Sequence, residues 1–229
     1  MRTAAVLPVK RFAIAKQRLG ESVADPLRLA LAGAMVADVL LALSQTEAIE
    51  RTIVVTGEPS VGPPALALGA ILVEDSSESG QSAAAALGIE RALAEGIERV
   101  LCVPGDCPAL DPAELQELLA HPRARGGPAV VIVPDRHGTG TNGLLLTPPA
   151  AISPSFGPDS CARHRALAAA ADVDCLLERP ASLLLDIDTG ADLAALRERL
   201  AGHDARAAHT RAVLAAATRE DPLTLHAPA

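Results

Sequence analysis

Apolar and polar positions along this chain follow two periods, and they trade places regularly through the first half. Ala4–Val9, Arg51–Thr56, Ala70–Val73, Val100–Val103 and Ala129–Val133 are short apolar runs with little polar alternation. Continuous apolar strands of this kind are buried on both faces, as in parallel sheets covered by helices. Helical periodicity fills the gaps between them. Asp25-Pro26 reads as an N-cap followed by proline at the first helical position, opening a helix to about Ser44. A short helix is expected over Ala65–Leu68 after the Pro59–Pro64 loop, and another over Ser82–Ala94, ended by Gly96. Asp111-Pro112 opens one more, to about Leu119. Strand–helix alternation predicts βαβ units and a mostly parallel sheet.

The second half is less regular. Arg123–Pro128 reads as a loop, Gly143–Leu146 as a strand returning from a glycine-rich loop, and Ser160–Ala171 as a helix. Asp172–Leu177 and Ser182–Leu185 read as short strands, and Thr189 or Asp192 starts a helix to about Leu200. Part of the sheet here is expected to be antiparallel. No stretch reads as an interdomain linker. The expectation is one α/β domain over residues 1–201, then an Ala/Arg-rich C-terminal helix and a polar, disordered tail over 202–229.

Composition narrows this picture. With 49% hydrophobic residues, two Phe and no Trp or Tyr, the core must be built of Ala, Leu and Val. The formal net charge of −8 argues against a nucleic-acid partner. It leaves room for small anions, because a metal ion and a few local cations can reverse the field inside one pocket. The four cysteines form no C-x-x-C pair, which suits free thiols in a reducing cytoplasm better than a metal cluster. Thr3–Val9 is too short for a signal peptide, and Leu27–Leu43 carries Arg28 and Asp38, so a buried helix is expected rather than a membrane span.

Chemistry gathers in a few loops. After the Val100–Val103 strand the chain turns at Pro104-Gly105 and presents Asp106. That carboxylate either caps the turn or stands at the carboxyl edge of the sheet, where ligands bind in open α/β folds. The loop after the first strand holds Lys10 and Lys16, the chain's two lysines against 18 arginines, with Arg11 and Arg18 beside them. Lysine offers a compact, flexible charge suited to a phosphate chain; a plain solvated loop is the alternative. Asp135-Arg-His-Gly-Thr-Gly-Thr-Asn142 lets the backbone approach an anion closely, though a hairpin turn explains it nearly as well. Ser160 is a candidate cap for the helix that follows Phe156-Gly-Pro-Asp, and Arg163 and His164 sit in its first turn, where cations oppose the macrodipole unless an anion is bound.

Leu185-Asp-Ile-Asp-Thr189 supplies a second acidic candidate. Strand alternation places Asp186 and Asp188 on one face; Asp188 or Thr189 also fits a helix cap. Asp106 with Asp186 across the sheet makes a two-carboxylate Mg²⁺ site. Two carboxylates, a lysine loop and two anion loops at one sheet edge suit metal-assisted nucleotidyl transfer. A phosphate nucleophile is already ionised, so no general base is required; positioning and charge neutralisation carry the rate.

The segments Ala5–Lys10, Ala15–Leu19, Pro104–Leu110, Asp135–Thr141, Phe156–Ser160 with Arg163-His164, and Asp186–Thr189 together resemble the 2-phospho-L-lactate / phosphoenolpyruvate guanylyltransferase family. That family makes the activated precursor of the deazaflavin coenzyme F-420. The resemblance implies a three-layer nucleotidyltransferase-type sandwich, GTP as co-substrate and Mg²⁺ as cofactor. It implies metal ligation by Asp106 and Asp186, and catalytic and triphosphate contacts from Lys10 and Lys16, with Asp106 counted among the catalytic groups. Arg18, and Gly80 and Ser82 at the third helix, are expected nucleotide contacts. Thr141, Gly157 and Ser160 are expected to hold a small phosphorylated three-carbon acid. Phosphoenolpyruvate is favoured over 2-phospho-L-lactate; a molybdopterin- or sugar-type nucleotidyltransferase is the wider alternative. A homodimer is compatible with the resemblance.

Overall fold

The computed structural model describes residues 1–121, 127–201 and 206–220. The tail from residue 221 and most of the expected 123–128 loop lie outside the described residues.

A seven-stranded sheet forms the middle layer. Its strands are β1 (Thr3–Val9), β2 (Arg51–Thr56), β3 (Ile71–Glu74), β4 (Arg99–Cys102), β5 (Ala129–Pro134), β6 (Thr141–Thr147) and β7 (Asp174–Leu177). Their order is β3-β2-β1-β4-β6-β5-β7. All neighbours run parallel except β6, which is antiparallel to both β4 and β5. The expected antiparallel element is therefore a strand inserted in the interior of the sheet. The sheet's carboxyl edge carries the loops after β1, β4 and β5, and β6 begins there.

Helices α1 (Asp25–Ser44), α2 (Gly62–Ala67), α3 (Gln81–Ala94), α4 (Pro112–Ala120), α5 (Ser160–Ala170), α6 (Gly190–Leu200) and α7 (Ala208–Glu220) complete the described elements. On one face of the sheet α1 and α4 bury Val39, Leu43, Leu115 and Leu119 against Leu7 and Leu101. On the other, α3 and α5 bury Ala85, Ile89 and Ala168 against Val6, Val55 and Ile132. Small side chains let α3 approach closely: a Cβ on Gly88 would stand 2.3 Å from Val6 Cγ1. A third cluster joins Leu31 and Met35 of α1 to Ile187, Leu196 and Leu214.

α1 is long and apolar enough to cross a membrane by composition, but the charges of Arg28 and Asp38 within it show what it does here. Both are buried. Arg28 donates to the carbonyls of Phe12 (3.0 Å) and Ala15, bracing the loop after β1. Asp38 accepts from His209 N (2.9 Å), Thr210 N (2.9 Å) and Thr210 Oγ1 (2.7 Å), capping α7.

Two local expectations differ from the structure. Asp25 is not a cap; Ala24 holds that position, and Asp25 pairs instead with Arg28 at 3.0 Å. Ser182–Leu185 is a single 3-10 turn, Ala181–Leu183, rather than a strand. Its carbonyl at Leu183 accepts from the Asn142 side chain (2.8 Å), so a side chain replaces the ladder. The helix after Thr189 begins as expected, with Thr189 and Asp192 exchanging a reciprocal capping box.

Candidate active site

One cleft of about 660 Å³ opens at the carboxyl edge, a size typical of a small-ligand site. Lys10, Lys16, Arg18, Gly80, Asp106, Thr141, Gly157, Ser160 and Asp186, all singled out in the sequence, border it. Ser82 is the exception. Its hydroxyl accepts Phe156 N–H at 2.8 Å, anchoring the loop before α5 to α3, while Gln81 borders the cleft in its place.

Asp106 reaches this edge because the Pro104-Gly105 turn lies flat on α1. A Cβ at Gly105 would approach Val36 Cγ2 to 2.9 Å, so only glycine allows the turn to sit so close. The Asp106 carbonyl accepts Ile187 N–H at 3.1 Å and draws the 186–188 segment alongside. Ile187 is fully buried, and Asp186 and Asp188 flank it. The alternation expected of a strand thus appears in an irregular segment pinned by one backbone bond. The carboxylates of Asp106, Asp186 and Asp188 lie within 4.8 Å of one another.

Three carboxylates this close repel strongly unless cations intervene. Lys16 supplies one, donating to Asp106 and, at 2.7 Å, to Asp188. Burial pulls its ammonium down, but the two carboxylates outweigh burial and hold it above the usual lysine range. The Lys16 backbone sits at φ 57°, in the left-handed region, within the loop that Arg28 braces. Asp186 is not bonded to Lys16. Burial and the nearby Asp106 raise its carboxyl, and the Asn142 amide, at 3.0 Å, offsets part of that. Asp106 Oδ1 is buried without a hydrogen-bond partner. An all-oxygen set with one orphaned carboxylate oxygen fits a hard divalent cation such as Mg²⁺. Asp188 is the member that sequence reasoning passed over, since Asp-Thr before a helix reads as a cap; the signal was its two-residue spacing from Asp186.

The opposite wall is held by hydrogen bonds that its own residues satisfy. Asp135 folds the glycine loop, accepting from Thr139 N (2.9 Å), and delivers Thr141 as the first residue of β6. Ser160 is the first residue of α5 rather than its cap; Asp159, at φ 55°, precedes it and makes no side-chain capping bond. Arg163 is spent on the loop before α5, donating to Ser155 O (3.0 Å), Phe156 O (3.0 Å) and Pro158 O. His164 is fully buried, and burial with Arg163 beside it pushes its imidazole down to about 4. The apparent clash of two cations with the helix dipole is therefore met internally: one guanidinium is hydrogen-bonded by carbonyls and one imidazole is uncharged. The thiols are bystanders, since burial raises Cys102 to about 12 and Cys107 well above the thiol range.

The sequence and the fold have known counterparts. The chain is 49% identical over 222 residues to the phosphoenolpyruvate guanylyltransferase of Conexibacter woesei, covering 97% of this chain and 99% of that one. It is 37% identical over 203 residues to the phosphoenolpyruvate guanylyltransferase of Sphaerobacter thermophilus, covering 89% and 94%. The fold matches the crystal structure of a putative nucleotide-diphospho-sugar transferase from Desulfovibrio desulfuricans with a TM-score of 0.73 at 17% identity, over 98% and 97% of the two chains. The model of the family described as "Guanylyl transferase CofC like" matches residues 3–212, so the chain belongs to that family.

Proposed function

We propose that this chain transfers GMP from GTP to phosphoenolpyruvate, releasing pyrophosphate, in the biosynthesis of coenzyme F-420. The observation that carries this reading is the meeting of a three-carboxylate cluster and a basic loop with the wall of Thr141, Gly157 and Ser160 across one cleft. Its close curated relatives bear the name of the same reaction.

A substrate phosphate oxygen attacks the α-phosphorus of GTP. A new phosphoanhydride bond forms, the α–β bond breaks, and the electron pair leaves with pyrophosphate. Asp106, Asp186 and Asp188 are the residues that would hold Mg²⁺, which supplies charge neutralisation on the triphosphate when bound. Lys16 leaves its two carboxylates for the triphosphate as GTP enters, and Lys10 and Arg18 meet the same phosphates from the rim. Thr141, the Gly157 backbone and Ser160 hold the acid. Its phosphate is ionised at neutral pH, so the chain needs to align it rather than deprotonate it.

The test is pyrophosphate release by the purified chain with GTP and Mg²⁺, with the guanylylated product identified by mass spectrometry. Turnover is expected with phosphoenolpyruvate, to exceed that with 2-phospho-L-lactate, and to stop with a chelator. Turnover with phospholactate alone would reassign the acid. Inertness toward both, under conditions where GTP binds, would sink the reading.

A further inference from the structure

His164 is the one fully buried titratable group on the acid side, and nothing above requires it to touch substrate. Its two ring nitrogens are both engaged. Ser155 N donates to Nε2 at 2.8 Å, and Nδ1 lies 3.1 Å from Thr141 Oγ1. Phe156 packs edge-on against the ring, with centroids 5.2 Å apart and planes at 74°. A backbone N–H can only donate, so Nε2 must carry a lone pair. A neutral imidazole has one N–H, which then belongs to Nδ1. Nδ1–H therefore donates to Thr141, and the threonine oxygen is an acceptor in that bond. A hydroxyl has a single hydrogen, and with one lone pair occupied by the imidazole that hydrogen is free to turn toward the cleft that Thr141 borders.

We infer that His164 is a positioning and specificity-determining residue that fixes the Thr141 hydroxyl as a hydrogen-bond donor, so that this wall selects a ligand group able only to accept. A carboxylate or a phosphate oxygen is such a group, and a ligand hydroxyl or amide N–H is not favoured there. The inference rests on the reading of Thr141 as an acid contact. The burial that keeps the imidazole neutral keeps the donor direction constant through the neutral pH range. The same ring, through Ser155 N, fixes the start of the 155–159 loop that carries Gly157. One side chain thus sets both the polarity of the hydroxyl and the position of the loop.

Two substitutions separate these duties. In His164→Asn the side-chain amide can still donate toward Thr141 but does not reach Ser155 N. In His164→Gln the longer side chain can accept from Ser155 N but loses the donor to Thr141. For H164Q the KM for phosphoenolpyruvate is expected to rise about tenfold, with kcat and the KM for GTP nearly constant; H164N is expected to recover most of the acid KM. In a Thr141→Val background H164Q should add nothing further, because the hydroxyl it orients is gone. A merely structural histidine would instead raise both KM values and lower the melting temperature equally in H164N and H164Q. Nitrogen-15 NMR of the wild-type imidazoles, with the His164 signals assigned by their absence in whichever variant folds, should show the Nδ1–H tautomer. An Nε2–H tautomer, or an acid KM unmoved in H164Q, overturns the inference while leaving the proposed reaction standing. A wild-type chain inert with every phosphorylated acid overturns both.

Discussion

The two walls of the cleft are built on opposite principles. The wall proposed to hold the metal is charged and unbalanced: two of its three carboxylates share one lysine, an oxygen of Asp106 has no partner, and Asp186 is held above its usual range. On the wall proposed to hold the acid the charges balance and are satisfied: the Arg163 cation is bound by carbonyls, the Asp135 carboxylate is folded into its own loop, and His164 is uncharged and doubly bonded. Clustered charges in a low-dielectric pocket are poised to exchange partners, whereas a satisfied neutral network holds its geometry. On the proposed reading, the difference means that recognition of the triphosphate involves rearrangement and that recognition of the acid is pre-formed.

The sharpest way to break this contrast is on the charged wall. Asp106→Asn should lower turnover by about 10²–10³-fold, the cost usual for losing one electrostatic contact at a transferring phosphoryl group. The melting temperature should stay close to wild type, because Lys16 keeps Asp188. Near-normal pyrophosphate release in this variant would remove Asp106 from the charge cluster's function.

The neutral wall is tested next by pH. Folding lowers the His164 imidazole from 6.5 to about 4. Between those values the unfolded chain binds a proton that the folded chain does not, so stability rises with pH across that window. The contribution is full above about 6.5, is lost as pH falls toward 4, and amounts to at most about 3 kcal/mol. Urea midpoints at pH 7 and pH 4.5 should differ less in H164Q than in the wild type; equal differences would mean that other groups carry the acid sensitivity.

The smallest effect is expected at Gly157. Its φ of 108° lies where side chains are rarely found, and an added Cβ would meet only ordinary contact with Arg163 Nη2 at 3.7 Å. Gly157→Ala should therefore cost roughly 1–3 kcal/mol from backbone strain alone, and raise the KM for the acid more than that for GTP. Equal changes in both KM values would show that the two walls are not independent.

How far the sequence carries follows the same divide. The β1 and β4 strands were legible as continuous apolar runs, and the turn delivering Asp106 was legible because a run ending in Pro-Gly-Asp, as after β4, has few other solutions. So were Lys10 and Lys16, by their rarity. Asp188 was hidden because a carboxylate before a helix has a local explanation that competes with a distant one. His164 read as a cation because sequence shows a residue's ordinary charge, and burial, which removes it, is a tertiary property. Arg28 gave no hint of bracing the lysine loop, since its partners are backbone carbonyls that any residue supplies. The Ser182–Leu185 run has strand composition, but its Leu183 carbonyl is taken by the Asn142 side chain, a contact between segments some forty residues apart.

β6 runs against its neighbours, so it is the strand whose first residues, rather than its last, stand at the cleft. Consecutive strand residues point to opposite faces. Thr141 accordingly turns toward His164 and Asn142 toward Asp186. The anchor for the acid and the brace for the metal-side carboxylate are adjacent links of one covalent chain, about 3.4 Å apart along the strand. That makes the peptide bond between them a molecular ruler. On the proposed reading it sets how far a bound acid group can lie from the reacting phosphorus, so an acid longer or shorter by one carbon is expected to arrive out of line however well each wall holds its own end.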